Sequence, residues 1–218
     1  MQRGYFDDFR DFRDKQGKIF HSPTKLIPAA AAPLFPPIPT ITTDGSSVQL
    51  PLQGQPAFVC IAFRAGAQEM IEAWAGPCSR FLDDAGSSES NSNSNSSSNS
   101  ARVQLVELAL IDSAVMGMWP FKSMLMANGA KSQEQYAVPA QYLYYFGDTE
   151  AVRKSLHLTN KLTGYVFLVD GDGKVRWRGS GNPEHGELEV LKACVGSVGG
   201  YVYNRDGDDT VRVCGGGE

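Results

Sequence analysis

The chain predicts an α/β fold, a three-layer sandwich with helices on both faces of a central mixed sheet. Three observations carry this reading. Phe58-Val59-Cys60-Ile61-Ala62-Phe63 is apolar on both of its alternating faces, as a central strand covered on each side must be. A helical pattern over Ala67 to Leu82 follows directly, and a second apolar run from Val103 to Ile111 comes after it. Tyr165–Val169 and Lys174–Arg178 then flank Asp170-Gly171-Asp172-Gly173, a strong hairpin signal, and a last helix from Glu187 to Val195 closes the core. Parallel strands joined by helices, then an antiparallel hairpin and a terminal helix, is the thioredoxin-like order.

Taken from the start, residues 4–15 are dense in aromatics and charge. Tyr5, Phe9 and Phe12 recur at helical spacing, while Arg10 and Asp14 sit four apart on another face. This predicts a short amphipathic helix ending near Gln16-Gly17. Residues 22–39 are rich in proline and alanine and predict an extended linker. The core is expected to begin at Ile38. The turn Thr42-Thr43-Asp44-Gly45-Ser46, followed by Val48, Leu50 and Leu52, predicts a first hairpin.

Met70, Ile71, Trp74 and Phe81 are the expected inward face of the Ala67–Leu82 helix. Residues 86–100 are almost entirely serine and asparagine; such a tract has little to bury and predicts a disordered insertion. Trp119-Pro120-Phe121 opens a further helix, with proline at a first-turn position and Gly129 past the end. Tyr142–Phe146 is a strand candidate, and Asp148 is expected to cap a helix from Thr149 to about Leu158. The resulting division is 1–37, an amphipathic segment and linker; 38–198, the α/β domain; and 199–218, a hairpin and tail built on Tyr201–Val213, expected at a sheet edge.

Composition narrows the chemistry. The 218 residues are 42% hydrophobic and 20% charged, with a net charge of −4 and no basic stripe, which argues against a nucleic-acid partner. No apolar run approaches the ~20 residues of a membrane span. Cys60, Cys78, Cys194 and Cys214 are far apart, without C-x-x-C or zinc spacing, and His21, His157 and His185 are scattered. No metal or cofactor is predicted. The turns at Asp170 and Asn204 lack the full EF-hand ligand pattern and are expected to be plain turns. The N-terminal residues lack transit-peptide composition, so targeting is expected to be internal or to lie in a presequence outside this chain.

In a thioredoxin-type enzyme the first strand–helix junction holds two thiols, one ionised by the helix dipole. Here it reads Arg64-Ala65-Gly66-Ala67-Gln68, which offers no nucleophile. Trp74-Ala75-Gly76-Pro77-Cys78 looks like such a site with its first cysteine replaced, but it falls well inside the helix. The cis-proline that would face the thiols is also replaced, by Leu162-Thr163-Gly164-Tyr165, where a trans peptide is expected. Binding is the expected role, and no catalytic residue is predicted. Met116, Met118, Trp119, Phe121 and Met124 make a soft apolar stretch, expected first as ordinary core on one helix face and second as a client-binding patch. Tyr5, Phe9 and Phe12 would dock on their own domain or in a partner's groove.

Two segments carry a more specific likeness. Tyr5-Phe6-Asp7-Asp8-Phe9-Arg10-Asp11-Phe12 with Gly17-Lys18 is one; Leu156 to Asp170, continuing through Arg176-Trp177-Arg178-Gly179-Ser180-Gly181, is the other. With Phe63 and Glu69–Trp74, they resemble the mitochondrial ATP synthase assembly factor family called ATPase complex subunit ten. The resemblance implies a non-enzymatic chaperone on the matrix side of the mitochondrial inner membrane. Its implied client is subunit a of the membrane sector, with peripheral membrane association left open. The serine/asparagine tract and the C-terminal hairpin depart from the family pattern and keep a second role open, as a structural subunit of a large organellar complex. A thiol oxidoreductase is a third reading.

Overall fold

A computed structural model describes residues 17–89, 102–112, 136–202 and 212–213. In chain order the elements are β1 (Ile38–Thr42), β2 (Ser47–Leu50), β3 (Ala57–Ala62), α1 (Gln68–Glu89), β4 (Gln104–Ile111), β5 (Ala140–Phe146), α2 (Glu150–Leu156), β6 (Tyr165–Val169), β7 (Val175–Ser180), α3 (Glu187–Gly199), β8 (Tyr201–Val202) and β9 (Arg212–Val213). Seven strands form one mixed sheet in the order β2-β1-β5-β4-β3-β6-β7. β3, β4 and β5 run parallel, while β6 lies antiparallel to β3 and β7 antiparallel to β6. That arrangement is thioredoxin-like, extended by β5 and the β1–β2 hairpin.

Alternation along β3 divides the core. Phe58 and Cys60 point to the layer of α1 and α3, packing with Ile71, Trp74, Cys78, Leu82, Leu191 and Val195. Val59 and Ile61 point to the opposite layer, with Val152 and Leu156 of α2. Trp74 and Trp177 are fully buried and meet edge to face, centroids 5.5 Å apart. Each contributes on the order of 2–3 kcal/mol by burial alone.

Several boundaries differ from expectation. α1 does not stop at Leu82 but continues to Glu89, taking in the first four residues of the tract expected to be disordered; residues 90–100 lie outside the described residues. Phe81 is half-buried, its ring under the Lys192 ammonium at 5.4 Å, because Cys78 and Leu82 occupy the inward stripe. α2 ends at Leu156, where His157 turns left-handed at φ 57° and Leu158 N–H bonds to the Arg153 carbonyl. Asp148 sits one residue before the N-cap, and its Oδ1 accepts from the Glu150 amide at 2.8 Å. α3 runs on to Gly199. β8 and β9 form a separate antiparallel pair rather than an addition to the main sheet. The Trp119–Gly129 helix falls outside the described residues.

The largest difference concerns the expected linker. Residues 17–37 are extended, but they are docked along β7 as a strap. Ile27 N–H bonds to the Arg176 carbonyl, Val175 N–H to the Pro33 carbonyl and Phe35 N–H to the Gly173 carbonyl, each at 2.8 Å. Trp177 Nε1 donates to the Pro23 carbonyl at 2.9 Å, and Phe35 is buried against Phe167. The strap therefore satisfies a sheet edge that would otherwise expose its backbone.

Candidate functional site

The junction after β3 is built as its sequence dictates. Arg64 is extended at φ −146°, Ala65–Ala67 make one 3-10 turn, and α1 begins at Gln68. Its positive dipole end thus opens beside Ala65 and Gly66, which carry no nucleophile. The loop before β6 lies directly across from it. A Cβ on Gly164 would come 3.0 Å from Ile71 Cδ1 and 3.2 Å from Met70 Cβ, so the loop passes tight against the first turn of α1. The bonds around Thr163 and Gly164 are trans, as their sequence predicts.

The strap begins on this same surface. The fully buried Thr163 hydroxyl donates to the Gly17 carbonyl. Lys18 Nζ reaches Glu187 Oε2 at 2.5 Å and the Asn182 carbonyl at 3.1 Å, and lies 5.5 Å from the Trp74 ring centroid. The amides of Ile19 and Phe20 both donate to Ser180 Oγ, at 3.0 and 3.2 Å. Trp74 Nε1 donates to the Gly181 carbonyl at 2.7 Å, fixing the β7–α3 corner on which Gly17 rests. Although burial pushes the Glu187 carboxyl up, the Glu184 amide and the Lys18 ammonium outweigh it, and Glu187 is held below the ordinary carboxylate range. The chain's own residues 17–20 therefore cover the loop facing the junction.

Cys60, Cys78 and Cys194 are buried free thiols. Cys78 lies ten residues into α1, about 15 Å along the axis from its start, beyond the dipole's strong field. Burial pushes all three thiols up, Cys194 to about 11, with Arg176 opposing in that case. Thiolate, the reactive form, is scarce at every one of them.

A feature that periodicity missed lies beneath the start of α1. Glu107 interrupts the apolar run of β4 and faces the α1 layer, between its register partners Cys60 on β3 and Tyr142 on β5. It is 7% exposed. Tyr136 Oη donates to Oε1, and Gln68 Nε2 donates to Oε2 at 3.3 Å. Burial raises its carboxyl above the ordinary value and the charge of Glu72 adds to this, while the bonds from Tyr136, Gln68 and Tyr142 oppose. The visible signal was the lone charge in an otherwise apolar strand. The group can hold a proton at the sheet–helix interface, beside the buried Cys60 thiol, whose own pKa is pushed up by burial and by the Glu107 charge.

The predicted binding residues Tyr5, Phe9, Phe12, Met116, Met118, Trp119, Phe121 and Met124 lie outside the described residues, as does Cys214. Among the described residues no cluster of three His, Cys, Asp or Glu could hold a metal, and no helix is long and apolar enough to cross a membrane. The Asp170 turn closes on itself, its Oδ1 accepting the amides of Asp172 and Lys174 and its Oδ2 the Arg176 guanidinium.

Known proteins resemble the chain at the level of family and of fold. A family model described as ATP10 protein matches residues 1–198. The mitochondrial ATPase complex subunit ATP10 of Eremothecium gossypii is 30% identical over 199 residues, spanning 88% of this chain and 66% of that protein. Its Saccharomyces cerevisiae counterpart is 26% identical over 195 residues, 84% and 66% respectively. The chain thus spans 66% of the length of these curated relatives. Among solved structures, BsSco, a member of the Sco family of cytochrome c oxidase assembly proteins, is 14% identical with a TM-score of 0.48, covering 77% of this chain and 94% of that one.

Proposed function

The chain belongs to the ATP10 protein family, and on that premise we propose that it is a non-catalytic assembly factor for the membrane sector of mitochondrial ATP synthase. Its client in this reading is subunit a, handled on the matrix side of the inner membrane. The observation that carries the non-catalytic part is the junction itself. The position where a helix dipole would activate a thiol holds Arg64-Ala65-Gly66-Ala67-Gln68, and the facing loop is bonded to Gly17. The curated relatives are named as mitochondrial ATPase complex subunits, which supports the assembly reading. Tyr5, Phe9 and Phe12, together with Met116, Met118, Trp119, Phe121 and Met124, are the proposed client contacts, because soft apolar side chains adapt to a membrane segment.

Photo-crosslinkers at Met118 and Met124 in intact mitochondria are expected to trap subunit a, and deletion of the gene to leave the membrane sector unassembled. Failure to trap it, together with normal assembly in the deletion strain, would overturn the proposal. Stoichiometric co-migration with the mature complex on native gels would assign the chain as a permanent subunit instead. Insulin reduction that is lost in Cys78→Ser would assign it as a thiol oxidoreductase.

A further inference from the structure

We propose that the cavity between the strap, the end of α2 and the β6–β7 face binds a small organic oxyanion, a carboxylate or phosphate carried on an apolar body. The topology builds this site. Arg178 is the register partner of Phe167, so both side chains leave the sheet on the α2 side, opposite to Trp177. The strap crosses that same face. Phe20 packs on the rings of Tyr165 and Phe167, centroids 5.9 and 6.5 Å apart, and the Pro23 carbonyl is held by Trp177 Nε1, which fixes His21 between the two anchors. The last turn of α2 supplies the third wall through Leu156 and His157. The enclosed space is about 280 Å³, near the lower end of the ~300–1,000 Å³ of ligand pockets and so suited to a small ligand.

The lining divides into two chemistries. Phe167, Val175, Leu156 and Ile27 give it an apolar floor, while Arg178, His21 and His157 bring nitrogen donors from three separate elements and no carboxylate lines it. Arg178 is half-buried, its guanidinium 4.8 Å from the Phe20 ring centroid. Among the described residues, neither that guanidinium nor either imidazole has a hydrogen-bond acceptor or an ion-pair partner. Acids on the flanking elements are engaged with cations of their own, Glu150 with Lys154 and Asp170 with Arg176. A guanidinium stacked on a ring keeps its in-plane fork of N–H groups free, and that fork matches two oxygens of one carboxylate or phosphate.

His157 adds an independent observation. Its φ of 57° makes it the one non-glycine residue among those described with a left-handed backbone. Glycine or asparagine normally takes this position after a helix, and glycine would fill it with less strain. The chain instead places an imidazole there, on the wall of the cavity. Strain of that kind collects at ligand sites.

The test uses the purified full chain, whose three histidines include His185, outside the cavity, as an internal reference. In proton NMR titrations with phenyl phosphate and with benzoate, the ring Cε1 protons of His21 and His157 are expected to shift saturably and with one dissociation constant, while His185 stays still. The tighter probe identifies the head group. Inorganic phosphate lacks the apolar body and phenol lacks the charge, so each is expected to bind more weakly than the better probe. Arg178→Met is expected to weaken binding about tenfold, the scale of one hydrogen bond to a charged group. His157→Gly is expected to weaken it severalfold without lowering the melting temperature, since it removes a ligand contact and the left-handed strain together. No saturable shift at His21 and His157, an equal shift at His185, phenol bound as tightly as the anions, or affinity indifferent to both substitutions would overturn the proposal. None of these outcomes bears on the crosslinking test of subunit a.

Discussion

Lys18 and Glu187 meet at 2.5 Å, 169 positions apart in sequence, with only 10% and 13% of their side chains exposed. The pair ties the start of the strap to the first turn of α3. The carboxylate also receives the Glu184 and Ser22 amides, so removing the cation strands a largely buried charge with neutral donors alone. Lys18→Met is expected to destabilise the fold by about 2 kcal/mol, below the cost of breaking a fully buried pair, and to speed hydrogen exchange at the Ile19 and Phe20 amides. Because Glu187 is held below its unfolded value, its contribution is complete above about pH 4.5 and is lost as pH falls through the folded value. Urea titrations from neutral to acid pH should show a shallower acid loss in Lys18→Met. An unchanged acid profile would refute the coupling.

Gly181 supports the same corner. It sits at φ 64°, and a Cβ there would come 2.8 Å from the backbone carbon and oxygen of Gly17. Neither atom is a flexible side-chain tip that could move aside. Gly181→Ala combines left-handed strain of about 1 kcal/mol with displacement of the strap, and is expected to cost about 2–3 kcal/mol in total. Limited proteolysis should cut within residues 17–27 faster in the variant. Gly186→Ala, at φ 83° with open space around the added carbon, provides the comparison with strain alone. Equal losses in the two variants would mean that the Gly17 contact contributes nothing.

Glu107 gives the opposite pH sign. Burial raises its carboxyl, so the folded protein holds a proton that the unfolded chain releases. Stability contributed here is full below about pH 4.5 and declines as pH rises through the folded value. Glu107→Gln keeps an acceptor for Tyr136 and removes the ionisation. It is expected to raise the melting temperature at pH 8 and to flatten stability between pH 5 and pH 8, with little effect near pH 4. A variant that is less stable than the parent across that whole range would show that the carboxylate itself is needed.

The parts of the fold that sequence made legible are those set by neighbours in the chain. β3 is apolar on both faces because both faces are covered, and Asp170-Gly171-Asp172-Gly173 closes its turn with its own aspartate. The strap was not legible, because what docks it lies 149 to 169 residues away: Trp177 Nε1, Arg176, Ser180 Oγ and Glu187. Proline and alanine predict extended backbone equally well for a free linker and a docked one. The helix end at Glu89 was missed for a related reason. Serine has only a weak preference against helix, so composition alone does not stop a helix that is already packed through Leu82 and Ala85. At the candidate site, the missing thiols could be read directly, whereas the cover over the facing loop depends on Thr163 reaching Gly17.

That cover can be tested by restoring the chemistry. Arg64 is the N-cap of the 3-10 turn and Ala67 lies three residues on, facing Gly164. Arg64→Cys with Ala67→Cys would therefore recreate C-x-x-C at the positive end of α1. The thiol at position 64 is expected to ionise below the ~8.5 of a free cysteine, read as the pH dependence of iodoacetamide alkylation, and the pair to oxidise reversibly. Insulin reduction should nevertheless stay near background, because residues 17–20 lie over the loop that a substrate disulfide would have to approach. Adding Lys18→Met and Thr163→Val, which loosen that segment without touching the new thiols, should raise turnover. Vigorous reduction with the strap intact would mean that the junction is open and that the loss of cysteines alone accounts for its silence.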